Sequence, residues 1–208
     1  MKKRDIIFGI IIGFLIGVLA LATFKNLEPE LRAKFGWFSM KLIYPFPVIL
    51  PILVVIGLFI ADLIAKKIKV IWQLAKFVVV GALNTFVDLG ILNFLIFASK
   101  IDTRAGVLYG IFKFISFSCA ATNSYFWNKT WTFEKGGQVK GKEFAGFYFV
   151  TGIGALINVG IAVFLVKVIG PQFNLAQNLW AGAVAPFIGV LCGFIWNFLA
   201  YKFFIFKK

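Results

Sequence analysis

Six long apolar stretches constrain the fold of this chain more than any other feature. They occupy residues 6–24, 42–65, 74–98, 105–127, 144–168 and 178–201. Each is close to the roughly 20 residues that a helix needs to cross a bilayer. In hydrocarbon, every backbone N–H and C=O group must be satisfied by the protein, and an α-helix does this within a single segment. The sequence therefore predicts an all-α integral membrane protein with about six transmembrane helices.

The composition excludes the classes of soluble protein. Apolar residues make up 61% of the chain and charged residues 14%. Soluble domains have about 45–50% apolar and about 25% charged residues. The mean hydropathy of the chain is +0.94. Histidine is absent, which removes imidazole catalysis and histidine metal ligation. The chain of 208 residues leaves no room for a nucleotide-sugar domain. We expect a protein that is not an enzyme and that uses neither a cofactor nor a metal.

The N-terminal third allows more than one interpretation. The basic start before the first apolar run also resembles a signal peptide, but that run of 19 residues exceeds the usual length of about 7–15, which favours a retained helix. Cleavage would leave five helices. Three prolines early in the second segment indicate that its helix begins near Pro51 or is kinked there. Between these segments, Leu31, Phe35 and Phe38 have the spacing of a short amphipathic helix at the membrane interface.

The basic residues indicate the orientation and the kind of partner. The net charge is +14, and the side that carries both termini with the 66–76 and 129–142 loops has twice as many lysines and arginines as the other side. Cytoplasmic loops carry such an excess, so we expect both termini to lie in the cytoplasm, with the protein in the plasma membrane. Anionic headgroups account for this charge, which makes membrane lipid the expected partner and not nucleic acid.

The last four segments contain an internal repeat. With an offset of 70 residues the third segment matches the fifth, and with an offset of 73 the fourth matches the sixth. The matching pairs include Phe77/Phe147, Val80/Val150, Asp88/Asn158, Gly90/Gly160, Cys119/Cys192, Lys129/Lys202 and Phe133/Phe206. Each unit has two helices, so both units enter the membrane in the same direction, which predicts a parallel repeat.

Three motifs of this repeat resemble the GtrA family. They are Asn-Lys-Thr-Trp-Thr-Phe at residues 128–133, its echo at residues 202–206, and Lys-Phe-Val-Val-Val-Gly at residues 76–81. The resemblance covers about residues 72–208 and leaves two N-terminal helices, residues 1–71, outside it. The resemblance implies a four-helix membrane domain tied to cell-surface polysaccharide or teichoic acid glycosylation. The same type of domain is similar to the membrane part of some dolichol-phosphate mannose synthases. The second copy departs from the pattern at Tyr201 and Phe204, where Asn and Trp would be expected.

One group of candidate site residues lies at the predicted cytoplasmic helix ends. A lysine ammonium suits a lipid phosphate, and tryptophan and tyrosine prefer the same headgroup depth. The predicted lipid-phosphate site consists of Lys129, Lys202, Trp131, Asn128 and Tyr201. The alternative is that the two lysines extend to the interface within an ordinary aromatic belt.

A second group is polar and lies inside the apolar segments. Asp88 and Lys113 are charged, and such residues usually mark a function or pair with each other. We expect them to pair or to line one polar cavity; the alternative is a purely structural ion pair. Four amides, Asn84, Asn123, Asn158 and Asn197, extend the predicted polar path or form interhelical hydrogen bonds.

Three functions fit these residues. The first, which the family resemblance favours, is translocation of a polyprenyl-phosphate-linked sugar across the membrane. The second is a non-catalytic anchor whose 129–143 loop docks a glycosyltransferase. The third is a small proton-coupled transporter that uses Asp88. A homodimer is plausible for all three, because four helices form a narrow path.

Overall fold

The computed structural model describes residues 1–99, 106–172 and 184–207. These residues are helical apart from short connections, and none of them lies in a β-strand, which confirms the predicted all-α class. The chain divides into two compact units, Met1–Thr132 and Phe133–Lys208. Each unit is described by itself below.

The first unit has four long helices. They are α1 (Lys3–Lys34), α2 (Phe46–Ala65), α3 (Val70–Ser99) and α4 (Gly106–Trp127), and α4 continues into a π-helical turn at Asn128–Thr132. The second unit has α5 (Gly141–Phe164), followed by a π-helical turn at Leu165–Ile169, and α6 (Ala185–Ala200), followed by a π-helical turn at Tyr201–Ile205.

Five segments of the described chain are long and apolar enough to cross a membrane. They are Lys3–Lys25, Met40–Ala65, Val70–Ser99, Gly141–Ile169 and Phe187–Ile205. Helix α4 lies where the fourth span is predicted and is long enough, but its lysine and polar residues make it less apolar than the others. The start of the predicted sixth segment, residues 178–183, lies outside the described residues. The protein is therefore a multi-pass membrane protein.

Helix α1 is longer than the sequence suggests. It runs through Pro29 and ends at Lys34, whereas the spacing of Leu31, Phe35 and Phe38 predicts a separate short amphipathic helix in this region. Glu28 pairs with Lys25 at 3.3 Å and with Arg32 at 3.8 Å. Pairs at these spacings stabilise a helix by about 0.2–0.5 kcal/mol each, and the pair of Glu28 with Arg32 spans the proline.

The α1–α2 contact depends on three glycines of α1 spaced four residues apart. A Cβ atom on Gly13 would lie 2.5 Å from the Cα of Pro51, and one on Gly17 would lie 2.5 Å from the Cα of Pro47. Small residues at such spacing allow close backbone approach between membrane helices. Helix α2 begins at Phe46, earlier than the predicted start near Pro51, because Pro47 lies in the first turn, where a missing N–H is tolerated.

The core of the first unit joins the N-terminal helices to the first repeat. Ile12 and Ile16 of α1 pack with Leu58 of α2 and with two α3 residues, Val80 and Leu83. The tryptophan of the π-helical turn belongs to the same cluster. The boundary between the two compact units falls after Thr132, so α1 and α2 share a core with the first copy of the repeat.

The structure contains the repeat found in the sequence. The π-helical turns that follow α4 and α6, Asn128–Thr132 and Tyr201–Ile205, are 73 residues apart, which is the offset that aligns the two sequences. Phe133 and Phe206, equivalent at this offset, are both buried. The local helix distortion is therefore a property of the repeated unit.

Replacing Gly13 by alanine should separate α1 from α2, because the new Cβ would meet the backbone of Pro51. Overpacking of this kind costs about 1–3 kcal/mol. Gly57→Ala is the matched control, since a Cβ on this α2 glycine meets nothing within 4 Å. The measurement is the thermal midpoint of the detergent-solubilised protein by circular dichroism. Equal midpoints for the two variants would contradict the proposed close contact.

Candidate functional site

The charged pair predicted inside the membrane segments is present between α3 and α4. The ammonium of Lys113 contacts the Asp88 carboxylate. Ser116 Oγ donates a hydrogen bond to Asp88 Oδ1 at 2.6 Å. Ser116 is buried, whereas the Lys113 side chain is 44% exposed within the chain. The pair is therefore open on its lysine side.

An amide pair continues the polar surface along the same two helices. Asn123 Nδ2 donates to Asn84 Oδ1 at 2.7 Å. Asn84 lies four residues before Asp88 and Asn123 seven residues after Ser116, spacings that keep each pair on one helix face. The amide pair therefore lies about one helical turn from Asp88 along α3 and about two turns from Ser116 along α4. Four of the six predicted path residues thus form one polar ladder in the α3–α4 interface.

The two remaining path residues lie in the second unit and carry no charge. Asn158 of α5 packs against Gly189 and Gly193 of α6, and Asn197 of α6 packs against Gly154 of α5. Within the described part of the chain, the buried Asn197 Oδ1 has no hydrogen-bond partner. Asn158 and Gly189 occupy the positions that Asp88 and Ser116 hold in the first copy. The close approach of the two helices is therefore repeated, but the ion pair is not.

The residues predicted to hold a lipid phosphate are mostly buried in the first copy. Lys129 is buried with its Nζ 3.4 Å from the Tyr125 hydroxyl and 5.7 Å from the centre of that ring. Asn128 is buried, and its Nδ2 donates to the Ser124 carbonyl at 2.9 Å. The Trp131 ring is fully buried. The sequence predicts these residues as part of a lipid-phosphate site, with an aromatic belt as the alternative, and in the structure all three side chains are buried.

The second copy exposes one of its two predicted phosphate-binding residues. Tyr201 is buried, stacks on Phe147 with ring centres 4.3 Å apart, and shares a 2.6 Å hydrogen bond with the Thr151 hydroxyl. Lys202 is partly exposed, with its Nζ 5.8 Å from the centre of the Phe198 ring. Of the five predicted residues, Lys202 is therefore the one best placed to meet a headgroup.

Sequence reasoning missed a dry charged cluster at the start of α1. Lys76 Nζ lies 3.0 Å from Asp5 Oδ1, and both side chains are 1% exposed. Trp131 Nε1 donates to the same carboxylate oxygen at 2.9 Å, and Lys76 Nζ also lies 4.8 Å from the centre of the Trp72 ring. The sequence pattern places Lys76 in the 66–76 loop, but the residue lies inside α3. The signal in the sequence is the single acid, Asp5, placed between the basic start of the chain and the first apolar run.

This cluster determines what Trp131 can bind. Its indole N–H is donated to Asp5, and its ring contacts Phe8 edge-to-face at 6.0 Å. A lipid phosphate could reach this N–H only by displacing the N-terminal helix. Among the described residues, no group of three or more acidic or cysteine side chains lies together to hold a metal ion.

Comparison with known proteins identifies the family. The sequence model of the GtrA/DPMS transmembrane domain matches residues 76–206. The chain belongs to this family. The match begins at Lys76 and includes both repeats, so α1 and α2 lie outside it. Membership supports a role for the protein as a membrane component of glycan synthesis.

One relative has a similar sequence over most of both chains. It is an uncharacterized membrane protein of Bacillus subtilis (strain 168), YngA, which is 29% identical over 141 residues. The aligned region covers 68% of this chain and 82% of the relative. No solved structure matches the chain.

Breaking the buried pair of α1 and α3 from one side should strongly destabilise the protein. Lys76→Met leaves the Asp5 carboxylate buried without its countercharge, which costs about 3–5 kcal/mol. Asp5→Asn/Lys76→Met should recover much of this loss, because the amide still accepts from Trp131. Glu28→Gln, at a partly exposed pair, is the control, with an expected cost below about 1 kcal/mol.

The measurement is the denaturation midpoint of each variant in the same detergent. A Lys76→Met protein as stable as the Glu28→Gln control would contradict the role of the buried pair. A double variant less stable than Lys76→Met would do the same.

Asp88 and Lys113 should be energetically coupled, since their side chains are in contact. A double-mutant cycle with Asp88→Asn and Lys113→Gln should give a coupling of about 0.5–3 kcal/mol in stability, the range for contacting groups. A second cycle pairs Asp62→Asn, on α2, with Lys113→Gln and should be additive. Additivity in both cycles would show that the ion pair contributes nothing.

Proposed function

We propose that the protein is a non-catalytic translocator of polyprenyl-phosphate-linked sugar in the plasma membrane. The observation that carries this proposal is the polar ladder of α3 and α4. It combines a charged pair, Asp88 and Lys113, with an amide pair inside two predominantly apolar helices. Intramembrane charge is costly and marks substrate pathways in transporters. An anchor for another protein has no need of it.

The chemistry of the ladder suits the head of a lipid-linked sugar. Carboxylate and amide oxygens accept hydrogen bonds from sugar hydroxyls, and the ammonium and amide N–H groups donate to sugar oxygens. The lysine side of the ladder is open, so a sugar can approach while its hydrocarbon chain stays in lipid. The basic helix ends support loading at the cytoplasmic face, with both termini on that side.

The second candidate is a membrane anchor for a glycosyltransferase. The observation that favours it is the basic connection between α4 and α5, which carries Lys135 and Lys140 and has a positive φ at Glu134, Gly136 and Gly137. A loop held in such a conformation presents a defined surface. This candidate requires the loop and not the ladder, which gives the two functions different mutational signatures.

The test is a translocation assay with the full chain in liposomes containing a fluorescent polyprenyl-phosphate sugar. Asp88→Asn should slow transfer about 10–100-fold, because a hydrogen bond to a charged group contributes about 1.5–3 kcal/mol. Asn84→Ala should slow it about 2–10-fold, because a hydrogen bond between neutral groups contributes about 0.5–1.5 kcal/mol. Asn93→Ala is the matched control on α3, since the Asn93 amide bonds the Leu89 carbonyl of its own helix.

Transfer at the control rate in both ladder variants would overturn the proposal. No transfer by the native protein, together with a glycosyltransferase whose activity falls when Lys135 and Lys140 are replaced, would support the anchor.

A further inference from the structure

The two copies of the repeat differ most at the helix turn that follows α4 and α6. Trp131 and Phe204 are equivalent at the offset of 73, yet Trp131 is 0% exposed and Phe204 is 76% exposed. Phe133 and Phe206, two residues further on, are both buried. The turns are therefore alike in their packing, and the difference is what covers the aromatic ring.

In the first copy, the start of α1 covers this face. The Asp5 carboxylate accepts from Trp131 and pairs with Lys76, while the Phe8 ring packs on Trp127 with centres 5.3 Å apart. The Asp5 carboxylate thus lies at the turn after α4. The apolar side chains of α1, beginning with Phe8, follow it along the helices. The Asp5 carboxylate thereby supplies the countercharge of Lys76.

In the second copy, the equivalent face is an open cavity. Its volume is about 410 Å³, within the range of about 300–1,000 Å³ for ligand pockets. Gly146 and Phe204, the equivalents of Lys76 and Trp131, both line it. The remaining lining residues are Lys135, Lys140, Lys142, Glu143 and Ile205.

The cavity has an excess of positive charge. Lys135 pairs with Glu143 at 3.2 Å and donates to the Ile205 carbonyl at 2.8 Å. Lys140 and Lys142 are exposed at the cavity wall, and no second acid lines it. Three lysines against one glutamate leave room for an anion that carries up to two charges.

We propose that this cavity binds the phosphate or diphosphate headgroup of an anionic lipid. The headgroup occupies the place that Asp5 takes in the first copy, between Lys140 and Lys142. The hydrocarbon chain then leaves over Phe203 and Phe204, which are 55% and 76% exposed. The inference deepens the proposed function, on which it rests for the class of lipid, and it places the phosphate at residues other than Lys129 and Trp131.

The test measures binding of farnesyl phosphate to the full chain in nanodiscs made of a zwitterionic lipid. Lys140→Ala/Lys142→Ala should weaken binding about 25-fold, since each lysine near a headgroup contributes about 5-fold in affinity. Lys66→Ala/Lys69→Ala is the matched control: it removes the same charge from exposed lysines that line a different cavity, in the first unit. It should leave binding unchanged.

A second variant tests the site without removing a lysine. Gly146→Glu places a carboxylate in the cavity, where a new Cβ meets only the mobile end of Ile205 at 3.2 Å. It should block farnesyl phosphate more than the isosteric Gly146→Gln does, because it supplies the charge that Asp5 supplies in the first copy. Equal effects of the two Gly146 variants would contradict an anion site.

Two further probes identify the source of the anion. Farnesol should not bind, and inorganic phosphate should compete only weakly if the ligand is a lipid. If inorganic phosphate binds as tightly as farnesyl phosphate, the site recognises a free anion and not a lipid headgroup. This result would overturn the proposal. If both double-lysine variants weaken farnesyl phosphate binding equally, the effect comes from general surface charge. This result would also overturn the proposal.

The same variants distinguish this inference from the proposed function. Loss of farnesyl phosphate binding in Lys140→Ala/Lys142→Ala, in a protein that translocates no lipid-linked sugar, supports the site and rejects the translocator. Translocation with unchanged farnesyl phosphate binding in that variant supports the translocator and rejects the site.

Discussion

Lys76 of α3 and Asp5 of α1 meet in a cluster from which water is excluded, and the first unit is arranged around that contact. Either charge alone at this position would be strongly unfavourable, because neither lipid nor packed aromatic rings can solvate it. The pair fixes the start of α1 against α3, and the Trp131 indole fixes the turn after α4 to the same carboxylate. Three helices are thereby joined at one point near their ends.

Close backbone contact completes this arrangement further along α1. Gly13 and Gly17 face the two prolines of α2, so the helices approach at the very residues that disturb regular hydrogen bonding. Packing and interhelical hydrogen bonds, and not the hydrophobic effect, hold helices together in lipid. The glycine stripe and the charged cluster therefore act together: one provides contact area and the other fixes the register.

The repeat shows how one fold holds two different surfaces. In the first copy α1 supplies an anion and a cover, and the polar ladder carries the charged pair of Asp88 and Lys113. In the second copy the face equivalent to the covered one is an open basic cavity, and the interface of α5 and α6 contains amides and glycines. The first copy therefore has a charged pair between its helices, and the second copy has an open basic cavity. Two identical repeats would have the same surface twice.

Much of this architecture could be predicted from the sequence because it depends on local pattern. Hydropathy over about 20 residues located the membrane segments, and the offsets of 70 and 73 residues located the two copies of the repeat. The proximity of Asp88 and Lys113 followed from their similar depth on neighbouring helices. Tertiary structure alone decided that Asp5 meets Lys76 and Trp131, that Lys129 is buried, and that the basic cavity is open. Burial depends on which distant helix covers a face, and α1 and the α4 turn are 126 residues apart in the chain, so no local pattern carries that information.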